Sequence, residues 1–153
     1  MMIENNIKKI TIISNNVCYG HIPENNEIIK QRLTILNDGR IYLYRYIFHD
    51  ILVKEEIFSI SRQKSEKIIH QLVNYFNTAK TSVIKLDGGL WNIIMTAENG
   101  KQHKINGSIC NDTKFWYHKF SKIVRKTLNR DYLFVLDGDA LDYDINIGII
   151  GSI

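Results

Sequence analysis

The stretch RLTILNDGRIYLYRYIF, residues 32–48, decides the fold of this chain. Its two parts, 32–36 and 41–48, are rich in β-branched and aromatic residues and flank Asn37-Asp38-Gly39. Asp and Gly tolerate the positive φ of a tight turn, so the pattern predicts a β-hairpin. In its second strand Tyr42, Tyr44 and Tyr46 are two residues apart, which places all three side chains on one face.

The same patterns extend over the rest of the chain. Runs rich in β-branched residues predict strands over 8–14 and 54–60, and a second hairpin, 91–97 with 101–109, turns at Glu98-Asn99-Gly100. Apolar residues at helical spacing predict amphipathic helices over 62–77 and 114–129. We expect further strands over 81–86 and 132–136, and an edge strand over 145–150. The predicted fold class is α+β: a two-layer sandwich in which two amphipathic helices cover one face of a mainly antiparallel sheet.

Length and composition predict one globular domain over residues 1–153. The chain is 44% hydrophobic and 24% charged, which provides enough apolar surface to fold. Its apolar runs fall short of the ~20 residues that a membrane-spanning helix needs, and its start, MMIENNIKKI, lacks the apolar block of a signal peptide. Cys18 and Cys110 are too few for a disulfide framework. We therefore expect a cytoplasmic protein with free thiols and no membrane partner.

Several short blocks carry a resemblance to a known family. They are Val17-Cys18-Tyr19-Gly20, Leu33-Thr34-Ile35 with Asp38-Gly39-Arg40, Trp91, Asn99-Gly100-Lys101, Gly107-Ser108-Ile109-Cys110, and Leu133-Phe134-Val135-Leu136-Asp137-Gly138. With these blocks the chain resembles the N-terminal module of an uncharacterised family of bacterial hypothetical proteins. The resemblance implies an architecture and assigns no activity or catalytic residue.

Three constellations point to enzyme or metal chemistry. Cys18 and His21 with Cys110 and His118 could supply zinc ligands, but structural zinc sites usually show two tight ligand pairs, and seven residues separate the second pair. Cysteine catalysis needs a histidine beside Cys18 or Cys110, and neither cysteine lies in a nucleophile motif. The acidic run 137–144 lacks the ligand order of a calcium loop, which favours a solvated turn. We expect no metal, no cofactor and no catalytic residues.

Two surfaces point to binding. Helical spacing predicts that the apolar stripe of the second helix consists of Trp116, Phe120, Ile123, Val124 and Leu128. Lys119, Lys122, Arg125 and Lys126 point away from this stripe and could neutralise phosphates, while Tyr42, Tyr44 and Tyr46 could stack bases. The alternative is a solvated helix face and a tyrosine row that packs inside the protein. Trp91, Phe115 and Trp116 could anchor a protein partner or fill the core, and an edge strand at 145–150 could pair with a partner strand.

The absence of a convergent catalytic set in the sequence favours a non-enzymatic interaction or binding module. Its natural partner is not defined by sequence and could be a protein. The alternative is a binder of RNA or single-stranded nucleic acid that uses the basic helix and the tyrosine strand. A small metal-dependent hydrolase is a third, weaker hypothesis.

Overall fold

The structure, a computed structural model, describes residues 2–15, 23–78, 89–109 and 116–138. These ranges contain six strands, two α-helices and a 3-10 turn at Phe48–Asp50. In chain order they are β1 (Ile7–Asn15), β2 (Lys30–Leu36), β3 (Arg40–Ile47), β4 (Ile51–Ser59), α1 (Arg62–Thr78), β5 (Leu90–Ala97), β6 (Gln102–Ser108) and α2 (Trp116–Leu128). The strands predicted over 81–86 and 145–150 lie outside the described residues.

The six strands form one sheet in which every pairing is antiparallel. Strands β1 to β4 form a meander in which each strand pairs with the next. Helix α1 then connects β4 to β5, which pairs with the other side of β1, and β6 completes the second hairpin. The strand order is β4-β3-β2-β1-β5-β6. Both predicted hairpins and the α+β class are confirmed.

The first hairpin turn depends on Gly39, which has a φ of 102°. Its N–H donates to the Leu36 carbonyl oxygen at 3.0 Å, and its own carbonyl accepts from the N–H of Ile60 at 2.9 Å. A Cβ at this position would collide with the Ile60 backbone carbonyl. Position 39 therefore requires glycine for its φ and also for the close approach of the chain that leads into α1.

Alternation along the strands separates a core face from an open face. On β1, β2 and β3 the core-facing residues are Ile10 and Ile12, Leu33 and Ile35, and Ile41 and Leu43, all buried. They belong to one cluster with the buried faces of both helices, which include Ile68 and Leu72 of α1 and Phe120 and Val124 of α2. Both helices therefore cover the same face of the sheet, as predicted. Neither described helix is long and apolar enough to cross a membrane.

Aromatic rings join the two helices to each other and to the sheet. The Tyr75 ring of α1 stacks on the Trp116 ring of α2 with centroids 3.9 Å apart, and Trp116 stacks in turn on Phe120 at 4.7 Å. Trp91 of β5 meets Tyr117 at 5.7 Å, and its indole N–H donates to the Ser108 carbonyl at 2.8 Å. Trp91 and Trp116 thus pack within the fold, while Phe115 lies outside the described residues.

The strand predicted over 132–136 is wrong. Residues 131–138, here named the closing loop, form turns, with a φ of 45° at Val135 and 79° at Gly138. Leu133, Phe134, Val135 and Leu136 are buried, which is why they resemble a core strand in sequence. Backbone groups of the closing loop bond to side chains instead of a neighbouring strand: the side-chain amide of Gln31 donates to the Tyr132 carbonyl at 2.7 Å and accepts from the Phe134 N–H at 2.9 Å.

The start of the closing loop is held against β3 and β4. Glu56 accepts hydrogen bonds from the Tyr132 hydroxyl and, at 3.0 Å, from Arg130 Nε. Burial opposes its charge, but these two bonds and the charges of Arg130 and Arg45 together hold the pKa of Glu56 below its usual 4.5. The Arg45 guanidinium lies over the Tyr132 ring at 4.2 Å. A carboxylate on an edge strand thus fixes the start of the loop.

Candidate functional site

Tyr42, Tyr44 and Tyr46 lie on the open face of the sheet. Ile41 and Leu43, which alternate with them on β3, point into the core, so the tyrosines point the other way. All three are half-buried. Alternate residues of a strand are roughly 7 Å apart, so the tyrosines form an evenly spaced row.

Direct cross-strand pairing extends this row into a surface. Thr34 pairs with Tyr42 on one side and with Thr11 on the other, and Arg32 pairs with Tyr44. Because directly paired residues share a face, these side chains lie beside the tyrosines on the open face. The Thr11 and Thr34 hydroxyls are 3.3 Å apart, and both residues are buried. They form the floor of a shallow depression.

We call this depression the tyrosine groove. Its volume is about 430 Å³, and it is lined by Lys9, Thr11, Arg32, Thr34, Leu36, Tyr42, Tyr44, Tyr46 and Leu52. Its walls are aromatic and apolar, its floor is hydroxylated, and its charged side chains are cations. This combination suits a ligand that has flat rings and negative charge.

Two of the cations at the groove have no acidic partner among the described residues. Lys9 and Arg32 form no ion pair within these ranges, whereas Lys30 Nζ lies 2.9 Å from Asp50 and 5.3 Å from the centre of the Tyr46 ring. Arg40, the first residue of β3, pairs with Asp38 at 2.8 Å. Lys104 adds a further exposed cation to the open face, because it pairs with Ile94, which pairs with Thr11. Lys9, Arg32 and Lys104 are therefore placed to meet a negatively charged ligand.

The basic side chains of α2 lie on the other side of the molecule. Lys119, Lys122 and Lys126 are exposed on α2, which packs against the core face, so the sheet separates them from the tyrosines. The basic residues of α2 and the tyrosines of β3, predicted to form one nucleic-acid surface, therefore lie on opposite sides of the sheet. The helix is also rotated from its predicted orientation: Ile123, expected in the core, is exposed, and Arg125, expected outside, is only 9% exposed.

Arg125 forms a buried ion cluster with the closing loop. Its guanidinium contacts both carboxylate oxygens of Asp137, with Nη1 at 3.1 Å from Oδ2, and donates to the carbonyls of Leu133 at 2.7 Å and Gly138 at 2.8 Å. His118 Nδ1 lies 2.9 Å from the same carboxylate. Burial raises the pKa of Asp137 above its usual 3.8, against the opposing effect of Arg125 and His118. Asp137 is thus part of the core, and the solvated turn predicted for it is wrong.

The predicted metal and cysteine sites lie mostly outside the described residues. Cys18, His21 and Cys110 lie outside the described residues, as do the acidic residues of 139–144. Of the proposed ligands only His118 is described, and its Nδ1 faces Asp137. The described part of the chain contains no group of three or more His, Cys, Asp or Glu side chains that could hold a metal ion.

The sequence identified the tyrosines but not their neighbours. Lys9, Thr11 and Thr34 join the site only through the pairing of β1, β2 and β3, and Arg32 does so for the same reason. The alternation along each strand was visible in sequence. The sequence did not show the register between neighbouring strands, which decides the residues that lie side by side and so defines the groove.

Comparison with known proteins does not extend these findings. Neither a protein-family model nor a curated protein sequence matches the chain. The resemblance to the N-terminal module of an uncharacterised bacterial family therefore stays a prediction.

Proposed function

We propose that this protein is a binding module whose open sheet face holds single-stranded nucleic acid. The observation that carries the proposal is the position of Tyr42, Tyr44 and Tyr46 beside Arg32 and Lys9 on a face that neither described helix covers. Proteins that bind single strands combine aromatic platforms for the bases with cations that follow the phosphates. The groove offers both.

The spacing of the tyrosines favours a single strand over a duplex. Neighbouring bases in a duplex are stacked about 3.4 Å apart along each strand, and that stack leaves no room for a side chain between them. The tyrosines occupy alternate residues of β3, which are roughly 7 Å apart along the strand. Bases that stack on successive rings must therefore be separated from one another, which an extended single strand allows.

Two cations lie close to the tyrosines on the open face. Arg32 pairs directly with Tyr44, and Lys9 lies one alternate position from Thr11 on the neighbouring strand. A nucleotide whose base stacks on Tyr44 thus has its phosphate within reach of the Arg32 guanidinium, which has no acidic partner among the described residues. The formal net charge of +4 is modest, so we expect moderate affinity with a clear dependence on salt.

The lining of the groove supports binding instead of catalysis. Its nine described side chains include three tyrosines, two threonines, two leucines and two cations. General acid–base catalysis usually uses His, Asp or Glu, and nucleophilic catalysis needs an activated nucleophile beside a base. The described lining residues include no His, Asp or Glu, so no hydroxyl of the groove lies beside such a base within the lining. We therefore favour recognition without turnover.

Charge reversal on the two faces tests the proposal. The sheet variant is Lys9→Glu with Arg32→Glu, and its matched control is Lys122→Glu with Lys126→Glu on α2, which changes the net charge by the same amount. Binding of a fluorescent single-stranded oligouridylate is measured by anisotropy over a series of salt concentrations. We expect the sheet variant to lose binding and the helix variant to keep most of it, because only the sheet residues flank the tyrosines.

The salt series adds a quantitative criterion. Each lost phosphate contact should reduce the slope of log affinity against log salt by about 0.7, so two lost contacts reduce it by about 1.4. Equal losses in the two variants would show that only net charge matters and would refute a site on the sheet. Salt-independent or undetectable binding by the unmodified protein would refute the nucleic-acid hypothesis altogether.

A further inference from the structure

Strand β4 is an apolar edge of the sheet. Eight large apolar side chains are exposed among the described residues, and four of them lie on this strand: Ile51, Leu52, Val53 and Ile57, with Ile57 63% exposed. Within the described part of the chain β4 pairs only with β3, and its outer edge has no strand partner there. An exposed apolar edge is a template for another strand.

The opposite edge of the sheet has a different character. Strand β6 exposes Gln102, Lys104 and Asn106, and its apolar residue Ile105 is partly buried against the core. The exposed side chains of β6 are thus all polar or charged, whereas four exposed side chains of β4 are large and apolar. The two edges therefore differ, and β4 is the one suited to association.

The sequence of β4 is complementary to itself in the antiparallel direction. Apolar residues 51–53 stand at one end and Ile57 at the other, and Lys54, Glu55 and Glu56 occupy the middle. When two copies run antiparallel about a twofold axis near the middle of the strand, the apolar start of each meets Ile57 of the other. Lys54 of each copy then lies opposite Glu56 of the other, while the two Glu55 side chains meet at the axis and weaken the contact.

We propose that two copies of this chain associate through antiparallel pairing of their β4 strands. The nine residues of β4 give an edge about 30 Å long. The product is a continuous twelve-stranded sheet, twice the six strands of one copy, with the two open faces on the same side. Because Leu52 also lines the tyrosine groove, the grooves of the two copies lie on either side of the new junction. The proposal does not depend on the nucleic-acid function, since it rests on the edge alone.

The irregularity in β4 limits where the contact lies. The pairing with β3 is regular from Lys54 to Ser59 and shifts between Lys54 and Leu52, which leaves Val53 without a direct partner in β3. Such bulges twist an edge and restrict long pairings. We therefore expect a short contact and a dimer that dissociates on dilution.

Sedimentation velocity without nucleic acid tests the proposal, from low to high micromolar protein. The unmodified chain should shift from monomer to dimer over this range. Ile57→Lys should weaken the dimer at least about tenfold, because each copy places a charge against the apolar end of the other strand. The matched control is Leu90→Lys on β5, where the replaced leucine is 57% exposed and distant from the β4 edge in the strand order. Circular dichroism checks that both variants fold.

Hydrogen exchange identifies the contact. If β4 pairs with its copy, its outward amide groups become protected as protein concentration rises, and those of β6 do not. A chain that stays monomeric at every concentration would overturn the proposal. So would a dimer that Leu90→Lys dissociates and Ile57→Lys leaves intact, because the contact would then lie elsewhere. Either failure leaves the oligonucleotide titrations of the single-chain groove unaffected, so the two proposals fail separately.

Discussion

Replacing Arg125 with methionine should destabilise the fold severely, although helical spacing predicted an exposed surface residue. The guanidinium makes two bonds to the Asp137 carboxylate and further bonds to the carbonyls of Leu133, Phe134 and Gly138. Methionine removes all of them and leaves a buried carboxylate without its main counter-charge. Breaking a buried ion pair by removing one partner costs about 3–5 kcal/mol. Small domains have about 5–15 kcal/mol in total, so this one variant removes a large share.

Urea unfolding followed by tryptophan fluorescence measures the effect at neutral pH. Lys126→Met is the matched control, because the neighbouring residue is exposed and has the same aliphatic replacement. We expect the control to change the free energy of unfolding by less than about 0.5 kcal/mol. A loss below about 1 kcal/mol for Arg125→Met, or equal losses in the two variants, would refute the buried cluster.

The pH dependence gives a second check on the same variant. Burial already raises the pKa of Asp137 above 3.8, and removal of Arg125 should raise it further. A carboxyl whose pKa is higher in the folded state binds protons more readily there, so stability falls as pH rises from the unfolded value through the folded one. The difference in free energy of unfolding between Arg125→Met and the unmodified protein should therefore shrink on acidification toward pH 3.8. A deficit that stays constant with pH would contradict the role given to Asp137.

Three further results are expected. Gly39→Ala should cost roughly twice as much stability as Gly100→Ala in thermal unfolding, because both glycines have positive φ but only a Cβ at Gly39 would collide with the Ile60 carbonyl. Equal costs would contradict the close approach of Gly39 to the Ile60 backbone. Glu56→Gln should lower the free energy of unfolding by about 1–2 kcal/mol at neutral pH. Because the pKa of Glu56 in the folded state lies below 4.5, this difference from the unmodified protein should close as urea unfolding is repeated at pH values descending from 4.5, and a difference that widens would refute the role of the charged Glu56. Tyr44→Ala should weaken oligonucleotide binding roughly 5- to 150-fold in the anisotropy assay, and an unchanged affinity would exclude stacking on this ring.

Local patterns predicted most of the regular structure. Turn residues between alternating strands located both hairpins, and apolar periodicity located both helices, because these features depend on residues close together in sequence. The closing loop shows the limit of this reasoning. Four consecutive buried residues resemble a core strand, yet their backbone bonds to Gln31 and Arg125, which only the tertiary fold brings near.

The candidate site divides in the same way. The tyrosine row was predictable because alternation along one strand sets it. Its cations were assigned to α2 because the sequence shows a basic helix and does not show which face of the sheet the helix covers. The structure puts α2 on the core face and places Lys9 and Arg32 beside the tyrosines through strand register. Arg125 was misplaced because its partner, Asp137, is twelve residues away in a loop whose path the sequence did not reveal.

The most direct test is a titration of the ¹⁵N-labelled protein with a single-stranded oligonucleotide, followed by backbone amide chemical shifts. The account predicts that the largest shifts fall on the open-face residues of β1, β2 and β3, around Thr11, Arg32 and Tyr44, and that amides of α1 and the exposed side of α2 change little. Shifts concentrated on α2 around Lys119, Lys122 and Lys126 would contradict the proposed site. The absence of shifts at low salt would contradict nucleic-acid binding itself.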